Sequence, residues 1–551
     1  MNHVRKERSH RAQRWHAGLV LGFVASLAIA ACSSSGSSST AASGATGATG
    51  NSPGSGSTSS SNVPQTIKVG GWDYNTLDPG ATVGFIGPEL PMAEPIYGLL
   101  FDPPATPGGA FVPDLATSYS YASDYKSVTI TLRSGETFQD GTPFDAAAIV
   151  SNIDRYSGAV SPNKQWYGDI ASATAVNPTT VKVSFTRPDT NFISMLAYTT
   201  GGLFSSPTAV KKAGAAKYGL HAVGAGPFEV ASFTPGQELD LVPYPKYWDA
   251  SKVKLTKLDY VNTPVDATVA YQDLVSGAID TDELGATSAP VNVLEQAKNN
   301  SNLSMLSGPD NTYLIGVLNT TKAPFNNPVA RQAIAYCTDQ QALATALAPG
   351  FLNPAYVFAG TSATYYPYGS PAAAKAAYPY QYSVAKASAL VKQLGGLSFS
   401  LTNFGGLYDT VANALAQTWK TCGINAQVAT VTGPALEGGF ATGGFQMSVT
   451  VEGGLNSPLF YRSFQQAGTP QASHVIDPLG SQIPSLVNDL YTTSDTSTLQ
   501  GYVNQLTTAT NQSAALIPLV SGPNYQISSK CVTGINLNGF GANFSFASKT
   551  C

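Results

Sequence analysis

The chain has 551 residues, of which 11% are charged, 10% aromatic and 43% hydrophobic, with a formal charge of −4. That hydrophobic content excludes disorder throughout, and so few charges leave the surface to be wetted by Ser, Thr, Asn, Gln and Gly. No basic run follows the N-terminus, which excludes the dense Lys/Arg patch that nucleic-acid binding requires.

The first 16 residues carry Arg5, Lys6, Arg8, Arg11 and Arg14 against Glu7, and residues 17–31 are almost wholly apolar. A basic segment followed by a short apolar one predicts an export signal over 1–31, since about 15 apolar residues fall short of a membrane span. The run ends Ile29, Ala30, Ala31, Cys32, which resembles the bacterial lipoprotein box, and this predicts lipidation at Cys32. Residues 33–63 follow as a Ser/Gly/Thr/Ala-rich stretch with no charge and no aromatic ring. Such a stretch does not offset its ordering entropy and reads as a tether, so that 32–63 anchors the body to a membrane surface. Removing 1–31 leaves 24 basic and 32 acidic side chains and a net charge of −8, with His221 and His474 the remaining histidines.

Beyond the tether, Gln65–Gly70 reads as an opening strand. Ser127–Arg133 and Thr180–Thr186 alternate with period two, which predicts half-buried strands. Between them Asp145 is a suitable N-cap for a helix whose inner face carries Ile149, Val150, Ile153 and Tyr156. Strands are expected at 238–242, 257–261 and 397–401, and helices at 266–276, 328–347, 383–394 and 409–422. Strand and helix alternate, so the body is α/β.

Cys337, Cys422, Cys531 and Cys551 make an even set in an exported chain, which suggests two disulfides with three possible pairings. Cys337 and Cys422 both lie on helical patterns, and if those helices face each other a 337–422 bridge leaves 531–551 to pin the tail. Four buried thiols are the alternative. No Cys/His cluster with zinc spacing occurs. Catalytic motifs are poorly represented. HExxH and the P-loop are absent, GxSxG occurs only inside the tether, and three scattered SxxK matches lack partners. Paired carboxylates for glycoside hydrolysis cannot be singled out among so many acids, so a cell-wall hydrolase is the minority reading.

Eight segments in order resemble the solute-binding proteins of family 5, the peptide/nickel class that serves ABC importers. They are Thr76–Pro79, Ala93–Leu100, Phe111–Ala116, Thr129–Phe144, Val223–Phe228, Tyr244–Trp248, Leu274–Asp280 and Pro324–Ala335. The resemblance implies a two-lobed periplasmic-binding-protein type II fold with an extra α/β subdomain. On that plan 64–97 and 221–318 form lobe I, 98–220 the extra subdomain, 319–514 lobe II, and 515–551 the return to lobe I. The crossings between lobes are expected near 318–324 and 514–521. The implied function is capture without catalysis. An oligopeptide or peptide-like solute is held between the lobes and delivered to the permease and ATPase of an importer by a monomeric, membrane-anchored receptor that needs no cofactor. Nickel is disfavoured, because neither remaining His has a ligating context.

Relatives that bind peptides pair the peptide amine with an Asp in lobe II. Here the corresponding stretch, 450–458, lacks it, and Glu452 is the nearest carboxylate. That departure keeps oligosaccharides and other polar metabolites open as ligands. The remaining candidate ligand residues are Trp72, Tyr74 and Asn75 after the opening strand, Asn319 at the expected crossing, where it holds either hinge or ligand, and Tyr461.

Overall fold

The computed structural model describes residues 65–551 except 72–74, 82–88, 105, 107, 159–160, 162, 264–265, 454–481 and 538–540. Cys32 and residues 1–63 therefore lie outside the described residues.

Two strands organise the molecule, Leu303–Leu318 and Leu516–Ser529, which run antiparallel through the middle of an eleven-stranded sheet. On one side the sheet continues through Thr281–Gly285, Thr66–Gly71, Lys257–Asn262, Glu238–Pro243 and Phe228–Thr234. On the other it continues through Met447–Gly453, Leu397–Asn403 and Ile424–Thr430. The two central strands change partners along their length. Residues 525–529 pair with 303–307 and 281–284, whereas 312–318 pair with 447–453. Register shifts fall between Ser307 and Asp310 and between Asp310 and Thr312. The exchange thus lies earlier than the expected crossing at 318–324, because 312–318 are already inside the second half of the sheet. A carboxylate holds this irregular turn: Asp310 accepts from Thr361 Oγ1 at 2.7 Å, Asn353 Nδ2 at 3.2 Å and Ser521 Oγ at 3.2 Å.

Ala116–Tyr121, Ser127–Leu132, Thr180–Phe185 and Ile170–Asn177 form a separate four-stranded sheet. The predicted alternation holds there. Val128, Ile130, Leu132, Val181, Val183 and Phe185 are buried against Ile149, Ile153 and Tyr156 of the helix Ala146–Ser157. Asp145 caps that helix, its Oδ1 accepting from Ala148 N at 2.9 Å. The stretch predicted as one helix over 328–347 is two, Pro328–Cys337 and Gln340–Leu347, because Asp339 restarts the second by capping Ala342 N at 2.9 Å.

The motif residues of the sequence converge where this smaller sheet joins the large one. Asp114 accepts from Tyr247 Oη at 2.8 Å, from Trp248 Nε1 at 2.7 Å and from Leu99 N at 3.1 Å. The Arg133 guanidinium lies 3.5 Å from the Trp248 ring centre and donates to the Asp114 carbonyl. Asp78 pairs with Arg155, and Asn163 Nδ2 donates to the Pro79 carbonyl at 2.6 Å. Gln139 bridges the carbonyls of Ile96 and Phe228 at 2.7 and 2.8 Å and accepts from Gly224 N at 2.8 Å. A Cβ at Gly224 would strike the backbone of Ile96 and Tyr97, so only glycine permits this approach. These motifs are structural: they satisfy buried polar groups at a junction between sheets.

Both expected disulfides are present, Cys337–Cys422 with Cα atoms 6.4 Å apart and Cys531–Cys551 at 5.1 Å. Their sequence separations are 85 and 20 residues. By chain entropy they restrict the unfolded state by about 4–5 and about 3 kcal/mol. The second closes the tail, whose Lys549 also pairs with Asp280 at 2.8 Å.

Candidate functional site

Strands 66–71, 257–262 and 281–285 are mutually parallel, as are 397–403, 424–430 and 447–453. In the first set Gly285 lies opposite Asn524, and in the second Gly453 lies opposite Thr312. The carboxyl ends of both sets therefore point at one place, the partner exchange around 308–312 and 521–524. In open α/β sheets ligands collect beyond such ends.

A pocket enclosing about 690 Å³, open solvent included, lies on the first set of strands. Its described lining includes Gly70, Gly71, Tyr260, Asn262, Asp282, Glu283 and Gln526, with apolar walls from Met92, Phe233, Leu239 and Phe544. A smaller space of about 260 Å³ adjoins it, lined by Gly308, Pro309, Asn311 and Asn524 and sharing Glu283 and Gln526. Glu283 thus stands between the pocket and the crossing strands, with Asn524 Nδ2 donating to its Oε1 at 2.9 Å. Burial and the neighbouring Asp282 charge push Glu283 up to about 8. Asp282 is held at about 6, chiefly by burial, although its carboxylate accepts from Glu283 N at 2.7 Å and Thr263 Oγ1 at 3.3 Å. A side chain at Gly70 would collide with that carboxylate, which accounts for the glycine.

The sequence-predicted candidates separate into three groups. Trp72, Tyr74 and Tyr461 lie outside the described residues. Asn75 is exposed just past the opening strand, and Glu452 sits at the end of Met447–Gly453, directly opposite Tyr313. Burial raises the Glu452 carboxyl to about 8. Asn319 belongs elsewhere. It is fully buried, its Nδ2 donates to the carbonyls of Gly443 and Phe445 at 3.1 and 3.0 Å, and its Oδ1 accepts from Thr321 N and Oγ1. Residues 312 to 319 advance about 20 Å along a strand, so Asn319 is at the far end of the sheet from the pocket and clamps a turn there.

Tyr260, Asp282, Glu283, Asn524 and Gln526 were not among the expected residues. A signal existed for the acids: Asp280, Asp282 and Glu283 crowd into four positions of a chain that is only 11% charged. Asn524 and Gln526 carry no such mark, because their place depends on a strand pairing more than 200 residues away. Among the described residues no group of His, Cys, Asp and Glu could hold a metal ion, and no helix is long and apolar enough to cross a membrane.

Residues 110–471 match the model of the bacterial extracellular solute-binding proteins, family 5. The glutathione-binding protein GsiB of Escherichia coli O1:K1 is 29% identical over 373 residues, covering 66% of this chain and 68% of that one. Among solved structures, the ABC transporter-associated periplasmic binding protein DppA from Helicobacter pylori, in complex with the peptide STSA, superposes with a TM-score of 0.75 at 20% identity, covering 88% of this chain and 98% of that one. MoaA of A. tumefaciens R10, in complex with mannopinic acid, gives 0.74 at 20% identity, covering 89% and 100%. The fold is therefore that of the two-lobed periplasmic binding proteins, and the similar proteins are binding receptors, not enzymes.

Proposed function

The chain belongs to the bacterial extracellular solute-binding proteins of family 5, and from that premise we propose that it is the capture component of an ABC importer. It takes an oligopeptide or peptide-like solute between its lobes, closes about the crossing of its two long strands, and presents the closed form to the permease. The observation that carries this reading is the convergence of two sets of strand ends on one partner exchange, with a pocket beside it. A ligand favours closure only as far as it binds the closed form better, so contacts from both sides are what drive it. Polar groups that bridge to solute through water suit main-chain recognition, and Asn262, Asn311, Asn524 and Gln526 are of that kind. On this reading Cys32, outside the described residues, carries the lipid that anchors the receptor.

Native mass spectrometry of the purified protein, before and after denaturation, tests the solute class. A ladder of short-peptide masses released on denaturation is the expected result. A single sugar or opine-like mass keeps the receptor and overturns the peptide. Such a ligand is the second reading, favoured by the absence of an Asp from 450–458.

A further inference from the structure

The pocket on strands 66–71, 257–262 and 281–285 has a chemistry of its own. Its described lining holds Glu238, Asp282 and Glu283 but no Lys, Arg or His. On the adjoining helix Glu89–Tyr97, Glu94, a further acid bonded by Asn543 Nδ2, acts electrostatically on Tyr260. Asp282 is already committed to Thr263 and the Glu283 amide. Glu283 is oriented by Asn524 and faces both spaces. Tyr260 supplies the second observation. It lines the pocket with 9% of its surface exposed, and its buried hydroxyl has no hydrogen-bond partner in the structure. A buried hydroxyl left unpaired is unfavourable, and a polar group that reached it would relieve that cost. Phe233 and Phe544 add aromatic surface, which attracts cations and packs apolar stems alike.

We propose that this pocket receives a cationic group of the solute, an amine or guanidinium borne on an apolar stem, with Glu283 as counter-charge and the Tyr260 hydroxyl as hydrogen-bond acceptor. The proposal rests on the receptor reading above and names its substrate class. Burial and the neighbouring acid favour the protonated form of Glu283, and an arriving cation draws it into its charged form with release of a proton. An anionic solute would find no counter-charge in the described lining.

Three pools separate the possibilities. The first contains randomised tripeptides with free amino termini and Lys or Arg. The second contains the same lengths acetylated, with citrulline and norleucine in place of Arg and Lys. The third contains low-mass amines and guanidines. Each is presented to the full protein after unfolding and refolding with its disulfides intact, and captured masses are read by native mass spectrometry. Capture from the first pool at least tenfold above the second is the expected result. Glu283→Gln and Tyr260→Phe should each cut that preference several-fold while circular dichroism stays unchanged. Capture from the third pool alone keeps the cation and overturns the peptide reading. Equal capture from the first two pools overturns the cation and leaves the receptor standing. Capture from none overturns both. A variant that loses its circular dichroism is replaced by Asn524→Ala, which removes the amide that orients Glu283 and should lower the same preference; an unchanged preference overturns the assignment of Glu283.

Discussion

Glu283, Glu452 and Asp282 have carboxyl groups that burial holds near 8, 8 and 6, above their ordinary values of 4.5, 4.5 and 3.8. A carboxyl with a raised folded pKa favours the native state in its protonated form. Its contribution is complete below the unfolded value and is lost as pH climbs to the folded one. The window is therefore about pH 4 to 8, and stability without solute falls as pH rises through it. Denaturant titrations should show a fall on the order of 2 kcal/mol between pH 5 and 8, allowing for the solvent that reaches both glutamates. The double substitution Glu283→Gln, Glu452→Gln should flatten that slope, and an unaltered slope would assign it to other acids such as Asp102, also raised to about 8. At this scale the sequence exposes residue type but not residue role. Asn319 stands out as an Asn at the end of a strand pattern, yet its partners are carbonyls 124 and 126 positions away, and those decide that it clamps a turn.

Among the elements, those with an uninterrupted local pattern were legible. Ser127–Leu132 and Thr180–Phe185 alternate without a break, and Asp145 stands where a cap belongs. The two central strands were not. Leu303–Leu318 contains Gly308-Pro-Asp-Asn311, and Leu516–Ser529 contains Pro518, Gly522 and Pro523. Such residues ordinarily mark turns, and here they mark bulges inside strands that change partners. Tertiary pairing overrides the local signal, with Asp310 fixing the irregular turn through three side-chain donors. Removing that carboxylate strands those donors. Asp310→Ala should destabilise the protein by about 3 kcal/mol and broaden solute binding, because the lobes lose a defined pivot. Denaturant unfolding read beside titration of a captured solute would check this. A variant of wild-type stability would remove Asp310 from the account of the crossing.

For the whole molecule, the question is whether binding and closure are one event. A compact body of about 490 residues has a radius of gyration near 23 Å, and rotation of two lobes about the crossing should reduce it by about 1 Å. Glu283 belongs to one side of that crossing and Glu452 to the other, so a solute that reaches both draws the lobes together. A solute that reaches only the Glu283 pocket gains its contacts without closing anything. The two cases differ in solution. At a hundredfold excess over Kd, either solute stabilises the protein by about 2.7 kcal/mol, since thermal stabilisation counts affinity and not geometry. Only the bridging solute should also shrink the particle in small-angle X-ray scattering. Stabilisation with compaction is the expected pair of results for a captured peptide, and Glu452→Gln should reduce the compaction more than the stabilisation. Stabilisation with an unchanged radius would confine the solute to one lobe, and the crossing would then be a rigid spine with no part in capture.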